Sequence, residues 1–411
     1  MLKLRSRQSK RELLLDRVQF FQDEDGSYFL LESSEDQLIN YTVNFPLPYY
    51  DGYKIQDFNC IGFSSSIFNK ENNIFQVNLK KSNKDKPKRI GWIFTIQALI
   101  STEHNEANNE HFLRYSFVTF EKLLRGHLFE ETVVYVEDIK PDGILTLENI
   151  YPAEMVIFTI SNATVKDIPE FEIDNYLQSF YIYGYYFCPL QGDFDSAIEN
   201  LIEPPIITNI VIQKISDQLE HDKFAKELFR TYLKKQNHPL VQFYLLFQVI
   251  ELLIDKVYDF EILKLFSAAK ERTLAPHEIK KRIESIANMD YRITRLFEDY
   301  LQKGLSSTTD LVIALKHFLK HFASDYKDTS SVGAAIYSCR NKIVHEFRLV
   351  ADKDVDFGLL KEINKHFSIL IAELVILFAD DPALRNNNKL ETSPIEWLKY
   401  QLLQEILQKD L

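Results

Sequence analysis

The chain has 411 residues, 45% hydrophobic, 13% aromatic and 26% charged, enough apolar material for two domains with cores and too much for bulk disorder. Eleven glycines exclude collagen-like and linker-like designs and argue against a glycine-looped nucleotide binder. The net charge of −12 is uneven: residues 206–411 hold 29 basic and 29 acidic side chains, so the other 19 basic and 31 acidic ones lie in 1–205. An acidic chain with a balanced C-terminal half is not barred from binding nucleic acid locally.

Cys60, Cys188 and Cys339 are far apart, with no spacing for zinc or a disulfide framework, which suits a reducing cytoplasm. The basic N-terminus, MLKLRSRQSKRELLL, lacks the apolar stretch of a signal peptide. The most apolar run, ILIAELVILF at 369–378, is too short to span a bilayer and contains Glu373. The expectation is a soluble, cytoplasmic protein with no membrane partner.

From about 17 to 200 the apolar residues alternate or cluster in short runs broken by turn chemistry. VQFFQ-DEDG-SYFLLE at 18–32 predicts a hairpin turning on Asp25-Gly26. TVVYVEDI-KPDG-ILTLENI at 132–150 predicts a second one, with Pro141 pre-setting the turn and Gly143 supplying positive φ. WIFTIQALIST and EHFLRYSFVTFEKLLRG suit a strand and a short helix, and FYIYGYYF at 180–187 an aromatic strand. Glu203-Pro204-Pro205 then forces an extended link.

Everything after it reads as helix: one or two helices in 206–235, a long apolar one over 241–266, one opened by Pro276 and capped at Gly304, and others at 308–326, 330–347 and 355–379. SPIEWLKYQLLQEIL adds a terminal helix after a polar loop at 385–393. The fold class expected is α+β, a strand-rich sensor or regulatory domain at 1–204 followed by an all-α bundle at 205–411.

The chain contains no GxxxxGK[ST], GxGxxG, GxSxG or HExxH, which removes several enzyme classes. DEDG lacks the later oxygen ligands of a calcium loop and reads as a turn. His317 and His321 share a helix face without a third ligand and read as solvated. KKSNKDKPKR at 80–89 holds six basic residues around a proline and reads as a solvated loop before a phosphate site. No cofactor or metal is expected.

One segment stands apart, SSVGAAIYSCRNKIVHEF at 330–347. At about 100° per residue, Val332, Ile336, Cys339, Ile343 and Phe347 form one stripe facing the core. Opposite lie Ala334, Tyr337, Asn341, Val344 and His345, with Arg340 on the flank about 140° from His345. A solvated face would be richer in Lys and Glu, so this one suits contact with another subunit, its polar side chains left in a cleft. Glu346 fits badly near the core stripe unless the helix ends there.

Arg340-Asn341-x-x-x-His345, late in a helical bundle, resembles the signature of HEPN-domain ribonucleases. YLLFQVIELL at 244–253 is similar to the early core helix of the Apea-like HEPN branch, found in bacterial phage defence. The resemblance covers about residues 238–380 and says nothing of 1–200. It implies a metal-independent endoribonuclease with a composite site across a two-fold homodimer interface. RNA brings its own nucleophile, the 2′-hydroxyl, so cutting requires proton transfer and charge stabilisation. His345 is then the acid/base, Arg340 the clamp on the phosphate and its transition state, and Asn341 the orienter, with Tyr337 on the same face.

Glu251 is an isolated carboxylate in an apolar helix, near Gln248 and Asp255. It is either a surface polar stripe or a cleft edge holding Arg340 or His345. Some HEPN toxins carry a tyrosine two residues after the histidine, where this chain has Phe347, so control by a fused regulatory half is the expectation. The setting implied is phage defence or abortive infection, a toxin-like effector released by a phage-derived trigger or an operon partner. The alternative is a non-catalytic HEPN-like dimerisation and binding protein with an N-terminal ligand- or peptide-sensing domain.

Overall fold

The computed structural model describes residues 2–24, 26–65, 73–81, 85–129, 132–152, 155–168, 171–189, 209–236, 238–301, 305, 308–322, 331–346, 348, 350 and 357–379. A strand-rich N-terminal region precedes a helical C-terminal one, as the α+β reading expects. Two compact units are distinguished: one takes 1–215, 222–245 and 364–376, the other 216–221, 246–363 and the residues from 377 onward.

The first unit is built on three sheets. β1 (Leu2–Ser6), β2 (Glu12–Leu15), β3 (Arg17–Gln22), β4 (Ser27–Glu32), β5 (Asn40–Phe45), β6 (Phe58–Ser65), β7 (Ile74–Leu79) and β8 (Lys88–Thr95) come first. α1 (Ile96–Ile100), α2 (Glu110–Leu124), β9 (Thr132–Val136), β10 (Asp142–Leu145), α3 (Leu147–Ile150), β11 (Met155–Ser161), α4 (Asn162–Val165), α5 (Leu177–Ile182) and β12 (Tyr185–Phe187) follow. β13 (Asn209–Ile212) then precedes α6 (Lys223–Glu227), a π-helical turn (Leu228–Tyr232) and α7 (Leu233–Lys235). The sheets run β2-β1-β9, β10-β5-β4-β3 and β12-β6-β11-β8-β7-β13.

Aromatic burial explains why so acidic a half folds. Phe29 and Phe45 stack on or edge against Phe117 and Phe120 of α2, and Trp92 and Phe94 meet Phe112. Phe29, Phe94, Phe112 and Phe120 are fully buried, each removing a large apolar area from water.

The hairpin expected at 18–32 forms, β3 pairing β4 antiparallel around a turn in which Asp23 and Gly26 exchange hydrogen bonds. Other expectations are corrected. Residues 132–150 are not a hairpin: β9 pairs β1 and β10 pairs β5, both in parallel. Gly143 has no positive φ; it lies inside β10, where a Cβ would sit 2.0 Å from the ring of Tyr41, so the residue serves close approach. The aromatic run at 180–187 divides into the end of α5, a turn at Tyr183-Gly184 and β12, because an apolar run does not by itself choose between helix and strand. In 206–235 the β-branched Ile210-Val211-Ile212 extends the large sheet, pairing β7 in parallel, before the helices begin.

The remaining helices are α8 (Pro239–Lys270), α9 (Pro276–Ala287), α10 (Met289–Asp299), α11 (Thr308–Phe322), α12 (Val332–His345) and α13 (Gly358–Leu377). The single helix expected from Pro276 is two: the Asn288 side chain accepts from the backbone N–H of Asp290 at 2.8 Å and Tyr291 at 3.3 Å, restarting the chain as α10. Glu203-Pro204-Pro205, Gly304, the 385–393 loop and the terminal helix expected after it lie outside the described residues. No described helix is long and apolar enough to cross a membrane.

Candidate functional site

α12 begins at Ser331, whose hydroxyl caps the N–H of Ala334. Its inner stripe is Gly333, Ala335, Ile336, Cys339 and Ile343, all buried. Ile336, Cys339 and Ile343 match the expected core face; Val332 is half-buried, and Phe347 lies outside the described residues. Gly333 sets the depth of packing on α10, since a Cβ there would stand 2.5 Å from Cγ2 of Ile293 and 3.1 Å from the ring of Phe297. Burial also pushes the Cys339 thiol far above its ordinary range, leaving it inert as a nucleophile.

The other face carries the candidate residues. Tyr337, Arg340 and Asn341 are half-buried, and Val344 and His345 are exposed. The helix ends at His345, and Glu346 adopts a non-helical φ of −126° as its C-cap. That ending resolves the misfit of Glu346: its carboxylate turns out to solvent and pairs with Lys342 at 2.7 Å. Lys342 and His345 in the last turn also complement the negative end of the helix.

α8 supplies the neighbouring side chains. Its carboxylate Glu251 lies 3.7 Å from Nη2 of Arg340, and the guanidinium stands over the ring of Phe247, 5.6 Å from the centroid. Gln248 donates a short hydrogen bond to the other oxygen of Glu251, and Asn341 accepts from Nη1 of Arg340 at 3.3 Å. Arg340, Asn341 and Glu251 are therefore brought together. Asp255, four residues on, pairs instead with Arg292 of α10.

Two residues stand apart from this group. No hydrogen bond or ion pair holds the His345 ring among the described residues, and it is open to solvent one helical turn beyond Asn341. Tyr337 lies one turn before Arg340 on α12 and makes no described contact with the group. Phe247, four residues before Glu251 on the same helix face, was missed by sequence reasoning, since its contact with Arg340 depends on how the two helices pack.

The geometry has a definite chemical capacity. A guanidinium offers five N–H donors in a planar fork, and the contacts with Asn341 and Glu251 leave donors for a further anion. The pair with Glu251 is partly exposed on both sides (27% and 30%), a setting in which such pairs contribute about 0.2–1 kcal/mol. An arriving phosphate can therefore compete for the fork. Arg340, Lys342, His345 and Arg348 lie within nine residues of one another, with Glu346 the intervening acid. Elsewhere, His317 and His321 are exposed on α11, and no described group of three His, Cys, Asp or Glu is placed to hold a metal.

No family model, no curated protein and no solved structure matches this chain.

Proposed function

We propose that the protein is a metal-independent endoribonuclease of HEPN type. Arg340 grips the scissile phosphate, His345 moves the proton between the 2′-hydroxyl or the leaving oxygen and solvent, and Asn341 orients Arg340 or the substrate. The observation that carries this reading is the half-exposed guanidinium of Arg340, oriented by Glu251, Asn341 and Phe247 yet retaining free donors, on the same helix as an exposed histidine. A histidine titrates near neutrality and suits general acid–base work; an arginine stays charged and matches the planar oxygens of a phosphate.

Arg340 and His345 lie five residues apart, about 140° around α12, and do not converge on one phosphate from one helix. A second copy of α12 across a two-fold axis supplies the missing group, and exposed Val344 between the polar residues suits such a contact. The proposed protein is accordingly a cytoplasmic homodimer acting on RNA. Its strand-rich part restrains or senses, in the setting of phage defence or abortive infection.

The test is RNA cleavage by the full-length protein in EDTA, comparing wild type with Arg340→Ala and His345→Ala. Cutting by wild type that both substitutions abolish supports the reading; equal cutting by all three overturns the assignment. The full chain is the right material, because deleting 1–205 removes β7, the strand with which β13 pairs.

A further inference from the structure

Away from α12, a buried amine and a buried thiol meet. Cys188 follows β12 directly and is 1% exposed; Lys234 lies in α7 and is 7% exposed. Lys234 Nζ is 2.8 Å from Cys188 Sγ. An N–H donor keeps a distance of about 2.9 Å from an oxygen acceptor, and sulfur is the larger atom, so the contact is close. One oxygen atom suffices to bridge such a gap.

Further contacts hold the thiol and the segment that carries the lysine. The backbone N–H of Cys188 donates to Gly62 O at 2.9 Å, and its sulfur is 3.3 Å from Ser64 Oγ and 3.5 Å from Tyr186 O. On the other side, Phe229 of the π-helical turn packs edge-on against Tyr181, and Arg230 sits over the ring of Phe187, 5.1 Å from its centroid. These contacts lay the α6–α7 segment against β12. Lys234 and Ser64, both neighbours of the sulfur, keep residual exposures of 7% and 8%. The other cysteines differ: Cys60 contacts the hydroxyl of Thr159 at 3.5 Å, Cys339 sits in the apolar packing of α12, and no lysine is at hydrogen-bond distance from either among the described residues.

We propose that Cys188 and Lys234 are a redox-controlled cross-linking site, joined on exposure to hydrogen peroxide by a covalent S–O–N bridge. In the first step Sγ attacks a peroxide oxygen; the O–O bond breaks, the thiol becomes a sulfenic acid, and one water leaves. In the second step another peroxide takes two electrons as the sulfenic oxygen bonds to the Lys234 nitrogen. The sulfenic O–H and one N–H are lost, and two waters leave. In total one thiol, one amine and two peroxides give one S–O–N bridge and three waters. Four equivalents of a small thiol reverse it, returning Cys188, Lys234 and one water with two disulfides of the reductant.

The bridge would span 46 residues of sequence and tie the end of β12 to the segment that runs into α8. Closing a loop of that length restricts the unfolded chain, so the oxidised protein melts at a temperature higher by several degrees.

The experiment treats full-length wild-type protein with hydrogen peroxide and reads the intact mass and the protease-derived peptides, before and after dithiothreitol. The expected result is a gain of about 14 Da, one oxygen gained and two hydrogens lost, on a peptide joining Cys188 to Lys234, reversed by the reductant. A chain carrying both Cys60→Ser and Cys339→Ser should still form the bridge; Cys188→Ser and Lys234→Arg should not. An unchanged mass, or gains of about 16 or 32 Da on an unlinked Cys188 peptide, would overturn the proposal. The decisive reading is made on the wild type, so it does not depend on the variants folding.

Discussion

On α8, Glu261 and Glu251 each meet an arginine from a neighbouring helix, but their surroundings differ. Glu261 is 9% exposed and receives Tyr300 at 2.6 Å, Arg295 at 3.1 Å, Lys264 at 3.2 Å and Tyr291 at 3.3 Å. Burial alone would raise its pKa; the hydrogen bonds from Tyr300 and Arg295 and the nearby charges of Lys264 and Arg295 outweigh it, so the carboxyl lies below its ordinary range. Glu251 has one longer ion pair and a Gln248 contact, and is partly exposed. The first arrangement pins α8 to α10. The second orients an arginine without saturating its donors.

The difference can be broken by substitution, and the largest effect belongs to the saturated cluster. Glu261→Ala leaves Arg295 and Lys264 without their shared carboxylate and should cost about 3 kcal/mol or more of stability, read by urea denaturation. Arg340→Ala and His345→Ala should each lower RNA cleavage by about 10²-fold or more while shifting the denaturation midpoint little, because neither side chain fills the core. Glu251→Gln keeps the shape but releases the orienting charge. It should reduce cleavage by about tenfold and change stability by less than about 1 kcal/mol.

The smallest effect is the pH dependence of the Glu261 cluster. Its folded pKa is depressed, so its contribution is fully present above the pKa of an unfolded glutamate, about 4.3, and fades as pH falls through that value toward the folded one. The stability gap between wild type and Glu261→Gln should thus be constant from about pH 8 to about pH 5.5 and shrink in more acidic buffer. A gap that widened on acidification would contradict the structural role given to Glu261.

Where periodicity and turn chemistry agree, the sequence was legible. The 18–32 hairpin, the long α8 and the inner stripe of α12 through Ile336, Cys339 and Ile343 follow from local pattern alone. Parallel pairing was not legible: β9 with β1 and β10 with β5 are contacts between segments far apart in the chain, and nothing in KPDG separates a turn from a link between two sheets. Gly143 shows the same limit, since a glycine reserved for the ring of Tyr41 looks in sequence like one reserved for a turn. At the site, helical spacing identified the outward face of α12 and marked Glu251 as unusual. It left open whether Glu251 lies in a surface stripe or holds Arg340, and it did not single out Phe247, because both contacts depend on how α8 and α12 pack.

The most direct test of the central claim is the chemistry of the cut ends. RNA digested by the full-length protein in EDTA should carry 2′,3′-cyclic phosphate and 5′-hydroxyl termini, the signature of attack by the 2′-hydroxyl with proton transfer by His345. Products bearing 3′-hydroxyl and 5′-phosphate ends, or cutting that appears only when a divalent metal is added, would contradict it.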